Sequence, residues 1–523
     1  MPLTTVIKEN TYFDSVSLMA ISSKANAIDG VRQAFVAMGT PMNKEVLRSL
    51  ELLSADLEAA ATGDLMIVIE SEPAADADAA YAELERLLAT KAPGGGAGGP
   101  AGAQERRYRT LASAAAETPG ANLAVVAVNG AYAAHEARTA LEAGLHVMLF
   151  SDNVGVEDEI ALKRLAHDAG LLMMGPDCGT AIIGGVALCF ANAVRPGNIG
   201  IVAASGTGSQ EVSVRIHGLG GGVSHLIGTG GRDLSAEVGG LMMLDGIRAL
   251  QDDPRTDVIV LVSKPPAPEV EQRVLAAVRD SRKPVVVCFI GGSCDAAAAP
   301  PGGAVATTTR GAALAAVRLA GQNGHRPDGE TFDPDLAASV RAKLDPEQRW
   351  IRGLFCGGTL CDEAMHIALE RLDDVHSNVA KDPAHRIAAH ATSVGHTFLD
   401  LGDDDFTNGR PHPMIDPSTR IARFLAEADD REVAVVVMDF ILGYGAHPDP
   451  VGAMLPAIAE ARGRALAEGR QLPIVGYVLG TDLDRPSLRE QVAKLEGAGV
   501  IVAASSTETG VLAREIVAPE ASR

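Results

Sequence analysis

The chain has 523 residues, with 45 basic and 67 acidic side chains and a net charge of −22. This acidic balance contains no basic run, so it argues against nucleic acid or an anionic membrane as a partner. No apolar run approaches the ~20 residues of a membrane span, and the N-terminus has no signal-peptide pattern. We therefore expect a cytoplasmic protein with several domains, at about 150 residues each.

The composition favours an α/β fold. Hydrophobic residues make up 47% of the chain but aromatic residues only 3%. The cores must therefore consist of Ala, Val, Leu and Ile, as in proteins with parallel sheets. The six cysteines form no C-x-x-C pair and no Cys/His cluster with the spacing of a zinc site. We predict reduced thiols in the protein cores and no metal site.

Changes in composition divide the chain into segments. The first segment holds predicted strands at Ser17–Ser22 and Leu65–Glu70, and predicted helices at Ala27–Met38, Lys44–Leu53 and Ala75–Ala89. We predict a small α/β domain over residues 1–90, a Gly-rich linker over 91–104, a Rossmann-like domain over 105–195, a flavodoxin-like domain over 196–320, a linker over 321–348 and a second flavodoxin-like domain over 349–523.

One stretch has the pattern of an anion site. Ile199–Ala204 is an apolar run typical of a buried strand, and Glu211–His217 opens a helical pattern. The turn between them, Ser205-Gly206-Thr207-Gly208-Ser209, combines hydroxyls with glycines. The first N–H groups of a helix lack partners and carry partial positive charge, so such a turn can bind phosphate. The alternative is an ordinary strand-to-helix turn of a doubly wound sheet, which has the same pattern.

The pattern repeats in the C-terminal segment. Leu354–Cys356 is a predicted strand that is followed by Gly357-Gly358-Thr359 and a helix. Gly228–Asp233 is echoed by Asp400–Asp405, and later strands correspond in the same order. We therefore predict two flavodoxin-like domains with doubly wound parallel sheets that pack through their turns, which would bring two anion sites into one molecule.

Other candidates for chemistry are single residues. His447 and Asp449 lie in a Gly/Pro-rich loop after a buried strand, where site residues gather. His447 could donate to an oxyanion or act as a base, or it could cap the local backbone. Cys178 and Cys356 fall at strand ends without an evident base, so we expect them to be packing residues.

Residues 121–320 resemble the α subunit of succinyl-CoA synthetase, and residues 350–515 resemble the C-terminal domain of its β subunit. The motifs that carry the resemblance are Gly175–Gly179, Gly200–Thr207, Gly228–Asp233, Phe398–Gly402 and Ile441–Asp449. The fused order, the N-terminal segment and the run Gly443–Pro450 look most like the FdrA family of acyl-CoA-synthetase-like proteins.

The departures from that synthetase limit what the resemblance implies. The loop that would carry a phosphohistidine corresponds to Gly291–Ala306, and no histidine occurs between His225 and His325. Lys264 stands where the family has a glutamate, so it could attract an anion, although a solvated surface lysine is the alternative. The CoA-binding loop is absent upstream of Leu123, which leaves the segment 105–195 a degenerate CoA-binding-like domain. The ATP-grasp half is absent too. CoA and a phosphohistidine are therefore not expected.

A scaffold that keeps phosphate-binding turns but loses the phosphate carrier could still hold an acyl or carbamoyl phosphate. Transfer from such a molecule needs a phosphate cradle and donors for the carbonyl oxygen. The FdrA resemblance implies a subunit of oxamate carbamoyltransferase in ureide (allantoin) catabolism, with a small anionic substrate and other subunits as partners. We also expect a homo-oligomer. The alternative is an acyl-CoA-synthetase-like protein, or a non-catalytic partner that binds CoA or a metabolite.

Overall fold

The computed structural model describes residues 108–292, 299–321, 333–407 and 410–518, and, nearer the N-terminus, residues 3–8, 30–49, 52–71 and 77–91 with a few between 11 and 28. Residues 92–104 of the predicted linker and Cys294 lie outside the described residues. The chain forms two compact units. One comprises residues 1–114, 127–129 and 407–411, and the other comprises the remaining residues.

The N-terminal unit is built on a three-stranded antiparallel sheet of order β1-β3-β2. Its elements are β1 (Leu3–Lys8), β2 (Val31–Met38), α1 (Pro41–Ser49), α2 (Ala55–Ala59), β3 (Leu65–Ser71) and α3 (Ala77–Lys91). The predicted helix at Ala27–Met38 is wrong, because Ala34, Val36 and Met38 alternate along a strand and join one core. The predicted strand at Ser17–Ser22 is also wrong, since its described residues are helical.

A small parallel sheet, β4-β5-β6, opens the second unit. Its strands are short. In the helix Gly130–Glu142, which connects the first two strands, the buried residues are three alanines and one leucine. The elements are α4 (Leu111–Glu117), β4 (Leu123–Val126), α5 (Gly130–Glu142), β5 (His146–Leu149), α6 (Val156–Asp168) and β6 (Met173–Met174).

The next sheet has seven strands in the order β13-β12-β11-β9-β10-β7-β8. Neighbouring strands in this sheet are parallel, except that β7 pairs antiparallel with both of its neighbours, β10 and β8. Its central strands are continuous Val/Ile runs that are buried on both faces, as parallel sheets require. The elements are β7 (Thr180–Ile183), β8 (Val186–Cys189), β9 (Pro196–Ala204), α7 (Gly206–Gly218), β10 (Val223–Gly228), α8 (Leu241–Asp252), β11 (Val258–Ser263), α9 (Pro268–Arg279), β12 (Val285–Phe289), β13 (Ala304–Val305) and α10 (Thr309–Leu319).

The last sheet has six parallel strands in the order β15-β16-β14-β17-β18-β19. Its elements are α11 (Pro334–Arg341), β14 (Trp350–Phe355), α12 (Gly358–Leu369), β15 (Val375–Ser377), a 3-10 turn (Pro383–His385), β16 (His396–Asp400), α13 (Asp404–Thr407), α14 (Ser418–Ala428), β17 (Val433–Ile441), α15 (Pro450–Ala467), β18 (Ile474–Leu479), α16 (Leu488–Gly497), β19 (Ile501–Val502) and α17 (Ser506–Val517). In the described part of the chain, no helix is long and apolar enough to cross a membrane.

The two larger sheets share one strand order. The run β16-β14-β17-β18-β19 corresponds to β10-β9-β11-β12-β13, so in each the first strand lies between the second and the third. This is the order of flavodoxin-like folds. The predicted α/β class with doubly wound parallel sheets is confirmed, while the precise domain boundaries stay a prediction.

A buried glutamate ties helix α7 to the six-stranded sheet. The Tyr477 hydroxyl on β18 donates to Glu211 Oε2 at 2.5 Å, and the Ser506 N–H donates to Oε1 at 3.3 Å. Arg215, one helical turn on, lies 3.8 Å from the same carboxylate. Burial raises the pKa of Glu211 to about 7, although the Arg215 charge opposes the shift.

This glutamate predicts a pH dependence of stability. An unfolded glutamate ionises near pH ~4.3, so the folded chain holds this proton more tightly than the unfolded chain. The stability that the protonated group contributes is complete below that pH and is lost as the pH rises through about 7. We expect the thermal midpoint to fall between pH 5 and pH 8 in wild type and to fall less in Glu211→Gln. A fall of equal size in wild type, in Glu211→Gln and in the exposed control Glu237→Gln would contradict this assignment.

Candidate functional site

The two predicted anion-binding turns meet. Ser205 follows β9 and Gly357 follows β14, and the Ser205 Oγ lies 2.5 Å from the Thr359 Oγ1. A Cβ added at Gly357 would lie 3.1 Å from the Thr207 side chain. The predicted packing of the two sheets through their turns is therefore confirmed. We call this contact between residues 205–209 and 357–359 the junction.

The first turn keeps its outer N–H groups accessible. Ser205 caps α7 by accepting the Gly208 N–H at 3.0 Å, and the Ser209 hydroxyl donates to the Gly206 carbonyl at 2.6 Å. Both hydroxyls thus serve the helix itself. Gly206 is exposed and Thr207 is half-buried, and their N–H groups open the helix where no intrahelical acceptor exists. These two residues are the free part of the predicted phosphate site.

The two glycines of the first turn, Gly206 and Gly208, have different surroundings. A Cβ added at Gly206 would meet only the Thr180 Oγ1, 4.0 Å away, so a side chain would project into open space. A Cβ at Gly208 would lie 2.5 Å from the Ser205 Oγ and 2.8 Å from the Thr359 Cγ2. Gly208 is therefore explained by the close packing at the junction, whereas no contact among the described residues requires a glycine at position 206.

A carboxylate of the protein occupies part of the second turn. Asp439, fully buried on β17, accepts the Cys356 N–H at 2.8 Å and the Gly357 N–H at 2.9 Å. The buried Arg420 guanidinium lies 3.5 Å from the same carboxylate. The N–H of Gly357 is thus already bonded, and the Thr359 hydroxyl pairs with Ser205. The second turn therefore contributes fewer free donors than its sequence suggests.

Lys264 reaches the junction from the end of β11. A Cβ added at Gly358 would lie 2.8 Å from the Lys264 Nζ and would overlap Asp400 Oδ2, so this glycine makes room for both charged groups. Burial raises the pKa of Asp400 to about 7, and the Lys264 charge opposes the shift. Asp400 also accepts the Gly402 N–H at 2.9 Å. The Lys264 ammonium group therefore lies near a carboxyl group that can change protonation near neutral pH.

Local structure accounts for His447 and Asp449. Asp449 caps α15 by accepting the Gly452 N–H at 3.0 Å, and it pairs with Lys494 at 2.8 Å. The His447 Nδ1 accepts the Asp449 N–H at 3.0 Å. This is the local capping that the sequence left open as an alternative. Among the described residues no hydrogen bond or ion pair links either of them to Lys264, and their catalytic role stays a prediction.

A histidine from another segment lies next to the loop Gly291–Ala306, which contains no histidine of its own. His366 on α12 lies against Gly291, the first residue of the segment that corresponds to the phosphohistidine loop. Its Nε2 is 3.8 Å from Asp362 Oδ1, one helical turn earlier. Residues 293–298 of that segment lie outside the described residues. No sequence pattern indicates this contact, because His366 lies on a helix that belongs with the six-stranded sheet.

The predicted packing cysteines lie in the core. Cys178 and Cys356 are each 3% exposed, and burial raises the pKa of the Cys178 thiol to about 12. The Arg420 guanidinium donates to the Cys356 sulfur at 2.8 Å. Among the residues that the structure describes, no three His, Cys, Asp or Glu side chains are arranged to hold a metal ion.

Three family models match the chain. The AllF heavy metal-associated domain matches residues 1–106, the CoA-binding domain matches residues 194–291, and the CoA-ligase domain matches residues 354–516. Two succinate–CoA ligase α subunits of Archaeoglobus fulgidus are each 29% identical, over 170 and 219 residues. These alignments cover 32% and 40% of this chain, and 58% and 73% of those subunits.

The matches to the CoA-binding and CoA-ligase domains and to the ligase α subunits support an acyl-CoA-synthetase-like fold. The solved structure of the ATP citrate lyase of Methanothrix soehngenii, in complex with citrate and coenzyme A, aligns at 13% identity and a TM-score of 0.36, over 78% of this chain and 84% of that one. The FdrA resemblance stays a prediction.

One relative matches along the whole chain. It is the uncharacterized protein YahF of Escherichia coli K12, which is 59% identical over 520 residues, or 99% of each chain. The chain therefore belongs to the same family as YahF, and its two larger sheets carry the CoA-binding and CoA-ligase domains of that family's succinyl-CoA-synthetase-like scaffold.

Proposed function

We propose that this acyl-CoA-synthetase-like protein binds a phosphate or acyl phosphate without covalent attachment, at the junction. The observation that carries the proposal is the meeting of two helix N-termini, with Ser205 and Thr359 2.5 Å apart. Both helices direct partial positive charge at the same place. Gly206 is exposed and Thr207 half-buried there, and their N–H groups have no acceptor within the helix.

Lys264 and Asp400 would supply a positive charge and a proton-transfer group at this site. A phosphate held by the α7 N-terminus would be neutralised further by the Lys264 ammonium group. Asp400 has a pKa of about 7 and can therefore give or take a proton at neutral pH, as acyl transfer requires. When a nucleophile attacks the acyl carbon, the bond from that carbon to the phosphate oxygen breaks, and the phosphate leaves with its charge already stabilised, so no covalent carrier is needed.

Carbamoyl phosphate is one acyl phosphate that this site would accept. The matches reported above name CoA ligases and an ATP citrate lyase, and none of them names a carbamoyltransferase. We therefore propose the broader class of acyl phosphates, and treat carbamoyl phosphate as one ligand to test. That CoA does not bind, that other subunits join the chain and that it forms a homo-oligomer stay predictions.

Replacement of Gly206 tests the binding site. In Gly206→Val the added Cβ would meet only the Thr180 Oγ1, 4.0 Å away, and the side chain would project from the helix start into the space proposed for the anion. We expect phosphate and carbamoyl phosphate affinity, measured by calorimetry, to fall by about tenfold or more, as for loss of hydrogen bonds to a charged partner. Thr207→Ala should have a smaller effect, because the backbone N–H groups remain.

The matched control is Gly218→Val at the other end of the same helix, where an added Cβ meets nothing within 4 Å. It should bind phosphate as wild type does. Equal affinities in wild type, Gly206→Val and Gly218→Val would show that the turn is only a connection. Titration with CoA in the same instrument separates an acyl phosphate site from a CoA site.

A non-covalent site predicts no phosphohistidine. Lys264 stands where the family glutamate would orient the histidine, and the loop itself contains none. After incubation with radiolabelled ATP, CoA and succinate, we expect no acid-labile phosphate on the chain. His366 is the residue to check, because it lies against Gly291. Label that appears in wild type and disappears in His366→Asn would contradict the proposal.

The N-terminal segment does not fit a heavy metal. Copper and zinc prefer thiolate and imidazole ligands, but residues 1–106 contain neither Cys nor His. Of the methionines there, Met38 and Met66 are buried in the sheet core. The match to a heavy metal-associated domain over residues 1–106 therefore indicates a relationship in fold, and we derive no metal chemistry from it.

The measurement is the metal content of the full chain. After exposure to copper or zinc and dialysis against a weak chelator, we expect well below one equivalent to remain, as measured by mass spectrometry. All six cysteines lie beyond residue 106, so they can be replaced by serine as a control. A full equivalent that survives this replacement would assign a metal to some other ligand set and contradict the expectation.

A further inference from the structure

His412 lies beside the junction with its ring fixed in one protonation state. The Met414 N–H donates to His412 Nδ1 at 3.1 Å. A nitrogen that accepts this bond cannot carry the proton of a neutral imidazole, so the proton is on Nε2. The backbone thus fixes His412 as a hydrogen-bond donor at Nε2.

The Nε2 atom faces the end of β16. A Cβ added at Gly402 would overlap the His412 Nε2, and it would lie 2.7 Å from the Cys356 carbonyl oxygen. Cys356 directly precedes Gly357, where an added Cβ would lie 3.1 Å from the Thr207 side chain across the junction. The missing side chain at Gly402 therefore leaves room for the imidazole edge at this place. Among the described residues, no hydrogen-bond acceptor is paired with Nε2.

The environment of His412 favours an uncharged donor. Phe190 from β8's end lies with its ring centroid 6.3 Å from the His412 ring. Burial lowers the pKa of His412 to about 4, so the ring is neutral at physiological pH. A neutral, fixed N–H polarises a carbonyl oxygen without adding a charge that would compete for the phosphate.

We propose that His412 donates its Nε2–H to the acyl oxygen of the ligand whose phosphate is bound at Gly206 and Thr207. The inference rests on the proposed function and adds a specificity to it. Donors at the α7 N-terminus recognise the phosphate, whereas His412 recognises the carbonyl oxygen. The site would therefore prefer an acyl phosphate over a phosphate ester or an alkylphosphonate.

A matched pair of stable ligands isolates this contact. Acetylphosphonate and ethylphosphonate differ only in that the first has a carbonyl group where the second has a methylene group. We expect wild type to bind acetylphosphonate about tenfold more tightly than ethylphosphonate, the effect of one hydrogen bond. In His412→Phe this preference should disappear while ethylphosphonate affinity stays unchanged. His412→Gln keeps a side-chain N–H donor and should keep part of the preference.

Histidine-labelled protein gives a second readout that needs no ligand. Nitrogen-15 spectra at pH 7 should contain the signals of a neutral ring that is protonated at Nε2. These signals should be missing from the spectrum of His412→Gln. A ring protonated at Nδ1, or charged, would overturn the inference even if His412→Phe failed to fold. If wild type binds both phosphonates equally and Gly206→Val weakens both, the His412 contact is wrong and the phosphate site stands. If wild type binds neither phosphonate nor inorganic phosphate, the proposed function fails as well.

Discussion

Two helix N-termini that face each other are the constraint on which this structure depends. The starts of α7 and α12 each carry partial positive charge, so their approach is unfavourable unless negative charge lies between them. At α12 the protein supplies that charge itself, because Asp439 accepts the N–H groups of Cys356 and Gly357. Arg420 and Lys264 then balance the buried carboxylates. At α7 Gly206 is exposed, and among the described residues no carboxylate accepts its N–H, so this is the end at which we propose that an external anion binds.

The close approach also explains which glycines the chain needs. An added Cβ would lie 2.8 Å from the Thr359 side chain at Gly208 and 2.8 Å from the Lys264 Nζ at Gly358, so each glycine allows a close contact across the junction. Gly206 has open space instead. Identical residues in one short turn therefore have different roles, and only the three-dimensional contacts distinguish packing from binding.

Much of the fold could be predicted because its signals are local. Val/Ile runs such as Val258–Ser263 form buried parallel strands, and the ordered repetition of turns predicted two sheets with one topology. The helix predicted at Ala27–Met38 failed because Ala34 and Met38 suit either element, and sheet packing against β3 decided for a strand. The turns at Ser205 and Gly357 were found from glycine and hydroxyl patterns. Asp439, His366 and His412 were missed, since each reaches its place through contacts between segments that are distant in sequence.

The buried Glu211 network has a further consequence for how the site is assembled. Tyr477 and Ser506 bind a glutamate that lies more than 260 positions earlier in the same chain. In the matched ligases the corresponding α subunit is a separate chain. Here both sheets are covalently joined, so their association is intramolecular, with an effective concentration on the order of millimolar. Dilution cannot separate the two sides of the junction. A weaker contact would therefore lead to transient opening within one molecule and not to dissociation. Such opening would let a ligand enter or leave the junction.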